Sequence, residues 1–363
     1  MKNPPPTPNE VTQKIILNCV RWGLPNFNAS ILEDVPKDEI NWNGIIPLAR
    51  EHGLLPLLCK ATQSEKIPED IRDMFKKEYL NFQISTLIGN NVLLEILKAL
   101  NEKKNPTIPL KGPFLAENIY SLKEIRGYTD LDLLVKENDL PTIENLLAKL
   151  NYKPLAETPK FKWEEPYPEK VFEKKAGGPP VELQWNIIGK TSYLKSSNFD
   201  VSEIWNESSG GKLLGQEILQ MKPEHLLIYL SLHFAITHRF ERLIWLRDIA
   251  EVINFYEKSL DWDYLSKCII KWQAKSFVYF PLLLAKNLLK ANIPDEALKK
   301  IRPNYFLARI FEKKLLTMKT WPKKYSLTTL FFLVSRDKLA YRLKTILALP
   351  WQAIRWRIFG KTR

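Results

Sequence analysis

The sequence predicts an α+β protein, a small mixed β-sheet flanked by N- and C-terminal helical regions. Three observations carry that expectation. Thr129 to Val135 alternates polar and apolar residues with period two, as a strand does. Val171–Lys175 and Val181–Trp185 are separated by Ala-Gly-Gly-Pro-Pro, the pattern of two strands and a turn. On either side of this region apolar residues recur at three- and four-residue intervals, the period of helices packed on a core.

In chain order, Glu10 to about Trp22 and Trp42 to Lys60 read as short helices, with Pro47 and Pro56 expected to break or kink the second stretch. A longer helix is expected from Pro68 to about Glu102, bent at Gly89. Residues 1–104 therefore form an N-terminal helical region, 105–214 an α/β core, 215–300 a second helical region and 301–363 a basic, largely helical C-terminal region. Within the core, Asp139 and Pro141 start a helix through Leu150. From Glu217 the pattern is helical again: Pro223 opens a helix through His233 and Phe234, and Leu243, Leu246, Ile249 and Ile253 mark the next. His233 and His238, five residues apart on one helix, would share a face poorly, so joint metal ligation is not expected; His233 reads as a helix-packing or capping residue, with a place near a nucleotide as the alternative. Arg242 and Asp248 read as helix-packing residues, and His52 as a structural or surface residue.

The chemistry concentrates between Ile108 and Val135. As a strand, 129–135 points Asp130 and Asp132 to one face, with Cα atoms roughly 6.5 Å apart, and Leu131, Leu133 and Val135 to the other. Two adjacent carboxylates repel unless a hard cation such as Mg²⁺ lies between them. If Val181–Trp185 lies beside this strand, Glu182 completes a carboxylate trio able to hold one or two divalent ions. Upstream, Ile108 to Lys111 reads as a short strand, Gly112 as a tight turn and Pro113 as the first residue of a helix. That helix N-terminus, with Lys111 and Arg126, would offer positive charge to phosphates. Asp261-Trp262-Asp263 repeats the acidic spacing but precedes a helical run, where Asp261 is expected as a cap.

Leu110-Lys111-Gly112, Arg126 and Asp130-Leu131-Asp132-Leu133-Leu134-Val135 resemble the bacterial uncharacterised nucleotidyltransferase family of the polymerase-β-like superfamily. Val181-Glu182-Leu183-Gln184-Trp185 resembles its later strand with the third carboxylate, and Leu226 to Ile253 its helical segment, so that roughly Trp42 to Ile253 is covered. Two departures stand out. The broader superfamily has Gly-Ser before a shorter helix where this chain has Lys111-Gly112. Relatives often carry His at the position of Gln184. The resemblance implies a nucleotidyltransferase core moving an NMP group from a nucleoside triphosphate, ATP by default, to a hydroxyl with release of pyrophosphate. It implies Asp130, Asp132 and Glu182 as ligands of Mg²⁺ or Mn²⁺, and Lys111, Gly112 and Arg126 as phosphate contacts. The acceptor stays open among protein, nucleic acid, sugar and small molecule. A catalytically silent nucleotide-binding module with a docking tail is the alternative.

With 363 residues, 45% hydrophobic and 26% charged, the composition is that of an ordinary globular protein. Cys19, Cys59 and Cys268 are scattered, odd in number and without metal-ligand spacing, so neither a disulfide framework nor a zinc site is implied, which suits a reducing cytoplasm. No signal peptide or membrane span is expected. The whole net charge of +13 lies in residues 301–363, which hold 15 Lys or Arg and 2 acidic residues. There Leu347 to Phe359 mixes bulky apolar and cationic residues, as an interfacial helix does. A solvated basic helix, a segment docking on an anionic membrane surface, and one binding nucleic acid or another polyanion are all open readings.

Overall fold

The computed structural model describes residues 10–155, 168–175, 177–187 and 199–317, with Trp321 and Phe331. Four helices precede the sheet: α1 (Glu10–Arg21), α2 (Trp42–Glu51), α3 (Leu55–Ala61) and α4 (Glu69–Glu102). Pro47 lies inside α2 without ending it, and Pro56 occupies the first turn of α3, where a missing N–H leaves nothing unpaired. The second stretch therefore divides between two helices at His52 to Leu54. α4 begins directly after Pro68 and, with 34 residues, is about 51 Å long. It runs through Gly89 without interruption. That glycine instead admits the Tyr128 ring: a Cβ there would lie 2.7 Å from Tyr128 Cε2.

The sheet comprises β1 (Ile108–Pro109), β2 (Leu131–Leu134), β3 (Tyr152–Pro154), β4 (Glu169–Lys174) and β5 (Val181–Gln184), in the order β1-β2-β5-β4-β3. The β2–β5 pair is parallel and the other neighbours are antiparallel, giving the mixed sheet of an α+β fold. Among the described residues, two α-helices lie between its strands in sequence, α5 (Pro113–Asn118) and α6 (Leu140–Lys149), the latter starting after Asp139. α5 has only six residues and stops short of Ile119 and Tyr120, which the sequence pattern would have included. Every residue of β2 is buried, so the strand is covered on both faces rather than one. Its charged face is an interior face.

Beyond the sheet come α7 (Val201–Asn206) and a hairpin of β6 (Ser209–Leu213) and β7 (Gln216–Gln220). This hairpin corrects the sequence reading of a helical pattern from Glu217. Leu219 N–H donates to the Thr107 carbonyl, tying the hairpin to the β1 side of the sheet. The helices that follow are α8 (Pro223–Leu232), a π-turn at His233–Thr237, α9 (Leu243–Phe255), α10 (Trp262–Lys271), α11 (Lys275–Leu289), α12 (Asp295–Ile301) and, in the basic C-terminal region, α13 (Phe306–Thr317). Asp261 caps α10 as expected, its carboxylate accepting from the N–H groups of Asp263 and Tyr264. α8 is buried all round and α9 nearly so, which makes these helices the centre of the C-terminal core. Phe331 reaches this core and packs among Phe240, Phe277 and Phe311.

A buried cation joins the first helix to this core. Arg247 donates from Nη1 to the carbonyls of Val20 and Trp22 at the end of α1, and from Nη2 to Glu251 at 2.7 Å. The carbonyls left open at the end of α1 are thereby satisfied by a charged donor. Among the described residues, no helix is long and apolar enough to cross a membrane. The expected interfacial segment at Leu347 to Phe359 lies outside the described residues.

Candidate active site

The parallel register of β2 and β5 sets Asp132 directly beside Glu182. Neighbouring strands lie about 4.8 Å apart, and side chains at paired positions share a face. Asp130, two residues before Asp132, follows the same alternation. One carboxylate oxygen from each of Asp130, Asp132 and Glu182 lies within 4.8 Å of the others. The structure thus brings together the three carboxylates that the sequence pointed to.

Burial separates their roles. Asp132 is almost wholly enclosed, with a side-chain exposure of 0%, whereas that of Asp130 is 31%. Gln184, on the same face of β5, donates from Nε2 to Asp132 Oδ1 at 3.1 Å. The other oxygen, Oδ2, has no well-directed hydrogen bond but lies 2.6 Å from Lys111 Nζ. The same ammonium is 3.5 Å from Asp130 Oδ2. Burial pushes the Asp132 carboxyl well above the ordinary carboxylate range, Lys111 opposes that shift, and Asp130 and Glu182 add to it. Glu182 is raised by burial and by Asp130. Burial alone would lower Lys111, but Asp132 and Asp130 more than reverse that and hold it firmly protonated. The site is a partly buried anionic cluster with the Lys111 ammonium against it.

Lys111 ends the stretch after β1, and Gly112 follows at φ +57°, ψ −113°, a conformation that a side chain would strain. A Cβ at Gly112 would also lie 3.2 Å from Tyr128 Cβ. Tyr128 is held in turn by its hydroxyl, which donates to Asn90 Oδ1 at 2.6 Å. The turn is as expected. Lys111 faces the carboxylates, and α5 is too short to carry much of a dipole.

Arg126 departs further from expectation. Its Nε and Nη2 donate to the two oxygens of Asp248 at 2.6 and 2.8 Å, and Nη1 donates to the Gly127 carbonyl. Tyr120 donates to Asp248 as well, at 2.7 Å. All this lies in the interior, where a bidentate carboxylate matches the guanidinium charge. Arg126 therefore ties the sheet region to α9 and does not stand open to a phosphate. Asp248 pairs with Arg126, while Arg242 lies over the Trp245 ring at 5.3 Å.

Three residues have contacts that the sequence reading did not give them. Gln184 was visible only as a neighbour of Glu182, because its partner depends on strand order. His233 and His238 come together because the chain forms a π-turn, in which His238 N–H donates to the His233 carbonyl. Their rings are 4.4 Å apart. The helical geometry that would have separated them does not apply.

Residues 38–290 match the family described as uncharacterised nucleotidyltransferase. The chain belongs to this family. The match spans α2 to α11 and includes all three carboxylates. Two solved structures are similar: an antigenic nucleotidyltransferase-like protein from Paracoccidioides brasiliensis and JHP933 from Helicobacter pylori. The first is 14% identical, with a TM-score of 0.33 over 58% of this chain and 96% of that one. The second is 16% identical, with a TM-score of 0.27 over 66% of this chain and 93% of that one. No curated protein matches.

Proposed function

We propose that the protein is a metal-dependent nucleotidyltransferase, moving an NMP group from a nucleoside triphosphate to an acceptor hydroxyl with release of pyrophosphate. The observation that carries this reading is the convergence of three carboxylates from two adjacent strands, in a chain of this family. The donor set suits Mg²⁺ or Mn²⁺: all ligands are hard oxygens, and a buried Asp132 oxygen lacks a directed hydrogen bond. Asp130, Asp132 and Glu182 would hold the metal. Bound there, it would lower the pKa of the acceptor hydroxyl and offset charge on the α-phosphoryl group and the leaving pyrophosphate.

The chain's own groups prepare this chemistry. Gln184 fixes the orientation of Asp132 through its amide. Lys111, now the counterion of the carboxylates, is free to turn to the triphosphate once their charge is otherwise matched. No protein nucleophile is needed. ATP is the default donor, and the acceptor belongs to the broad class of hydroxyl compounds, whether protein, nucleic acid, sugar or metabolite.

A second reading, a module that binds nucleotide without turnover, is favoured by the tight seating of Lys111 against Asp132. The experiment supplies each α-³²P-labelled nucleoside triphosphate with Mg²⁺ or Mn²⁺ to the protein alone and to a cell extract. Label transfer that disappears in Asp130→Ala/Asp132→Ala supports turnover. Metal-dependent binding without transfer supports the silent module, and absence of both refutes the site.

A further inference from the structure

The π-turn after α8 gathers an aromatic group that the carboxylate chemistry does not use. His238 stacks on Trp245 with centroids 3.6 Å apart and planes at 23°. His233 meets both edge-on, at 4.4 Å from His238 and 5.6 Å from Trp245. His238 and Trp245 are half-buried, whereas His233 is 9% exposed and its Nε2 has no hydrogen-bond partner among the described residues. A buried imidazole nitrogen without a partner is rare, because desolvation without a bond is unfavourable. π-turns, too, concentrate at functional positions.

The group lies within electrostatic reach of the candidate active site. Lys111 and Asp130 both act on His238, and Lys111 and Arg126 act on His233. Trp245 is one helical turn before Asp248, the partner of Arg126, on the same helix. We propose that His233, His238 and Trp245 form the nucleobase-binding wall of this site: His238 and Trp245 offer aromatic surface to the base, and His233 Nε2 a hydrogen bond to its polar edge. This inference rests on the metal-nucleotide reading above and adds where the base is held. A base is flat, uncharged and polar at its rim, which matches stacked rings beside one buried neutral nitrogen. Burial, with Lys111 next, lowers both imidazoles, His238 to about 3, so at neutral pH they are uncharged partners for a base rather than cations for a phosphate.

The test measures binding by equilibrium dialysis with Mn²⁺, using the four non-transferable α,β-methylene nucleoside triphosphates and inorganic tripolyphosphate, which has no base. The wild-type protein should bind at least one nucleotide more tightly than tripolyphosphate. Trp245→Ala and His238→Ala should weaken nucleotide binding about 5- to 150-fold, the contribution of one stacked base, and leave tripolyphosphate within about twofold. Trp245→Phe and His238→Phe should recover most of the loss, which separates stacking from misfolding. His233→Ala should narrow the difference in affinity among the four bases. Nucleotides bound no better than tripolyphosphate, or both ligands weakened equally in folded variants, would overturn the wall and leave the metal site standing. Failure of the wild type to bind either ligand would overturn the metal-nucleotide reading and this inference with it.

Discussion

Replacing Lys111 with Met removes the ammonium 2.6 Å from Asp132 and 3.5 Å from Asp130 while keeping much of the side-chain volume. Taking one partner from a buried ion pair typically costs about 3–5 kcal/mol. A second limit comes from protonation, because Asp132 can escape its unpaired charge by taking up a proton. For a carboxyl of ordinary pKa near 3.9, that requires about 4 kcal/mol at pH 7 and about 1.5 kcal/mol at pH 5. We therefore predict that Lys111→Met lowers unfolding stability by about 3–4 kcal/mol at pH 7 in EDTA, shrinking to about 1–2 kcal/mol at pH 5. The sign follows from the loss of Lys111, which opposes the rise in the folded-state pKa of Asp132 and Glu182: without it both rise further than in wild type. Such groups favour the folded state at acid pH, and that contribution is lost as pH rises through the folded pKa. Urea denaturation at the two pH values is the assay. Mn²⁺ at about 100 times its dissociation constant should return about 2.7 kcal/mol, since a metal supplies the missing positive charge. A variant within about 0.5 kcal/mol of wild type at pH 7, or equally destabilised at both pH values, would refute the reasoning.

Other perturbations test neighbouring parts of the account. Asp248→Asn leaves the Arg126 guanidinium buried without its counter-charge and should cost about 3–5 kcal/mol in a denaturant titration, with Arg126→Met/Asp248→Leu recovering part of it. Gly112→Ala forces a side chain into the φ +57° turn and should cost about 1–3 kcal/mol, readable as a lower melting temperature. Gln184→Leu removes the amide that orients Asp132, so metal affinity measured by calorimetry should fall about 10- to 100-fold while the protein stays folded. Asp261→Ala, at an acidic pair with the same spacing, should lose about 1 kcal/mol of helix capping and leave metal affinity unchanged.

Local patterns made much of the fold legible. Period-two alternation gave β2 and β5, the residues around Pro68 and Asp139 gave the starts of α4 and α6, and Asp261 was read correctly as a cap. The carboxylate trio was legible because alternation fixes which residues share a face, needing only that β2 and β5 be neighbours. What escaped was set by tertiary partners. Arg126 reads as a free cation in sequence, and only the fold brings Asp248, 122 residues later, against it. The lack of a side chain at Gly89 serves the Tyr128 ring, a contact with no local signature. Gln184 gained a role from Asp132, and the two histidines met because a π-turn replaced the helical period on which their separation was argued.

The most direct measurement of the central claim is a Mn²⁺ titration followed by electron paramagnetic resonance, in wild type, Asp132→Asn and Asp261→Asn. The account predicts saturable binding in wild type and in Asp261→Asn, and its loss in Asp132→Asn. Equal binding in all three proteins, or none in wild type, would contradict the assignment of Asp130, Asp132 and Glu182 as a metal centre.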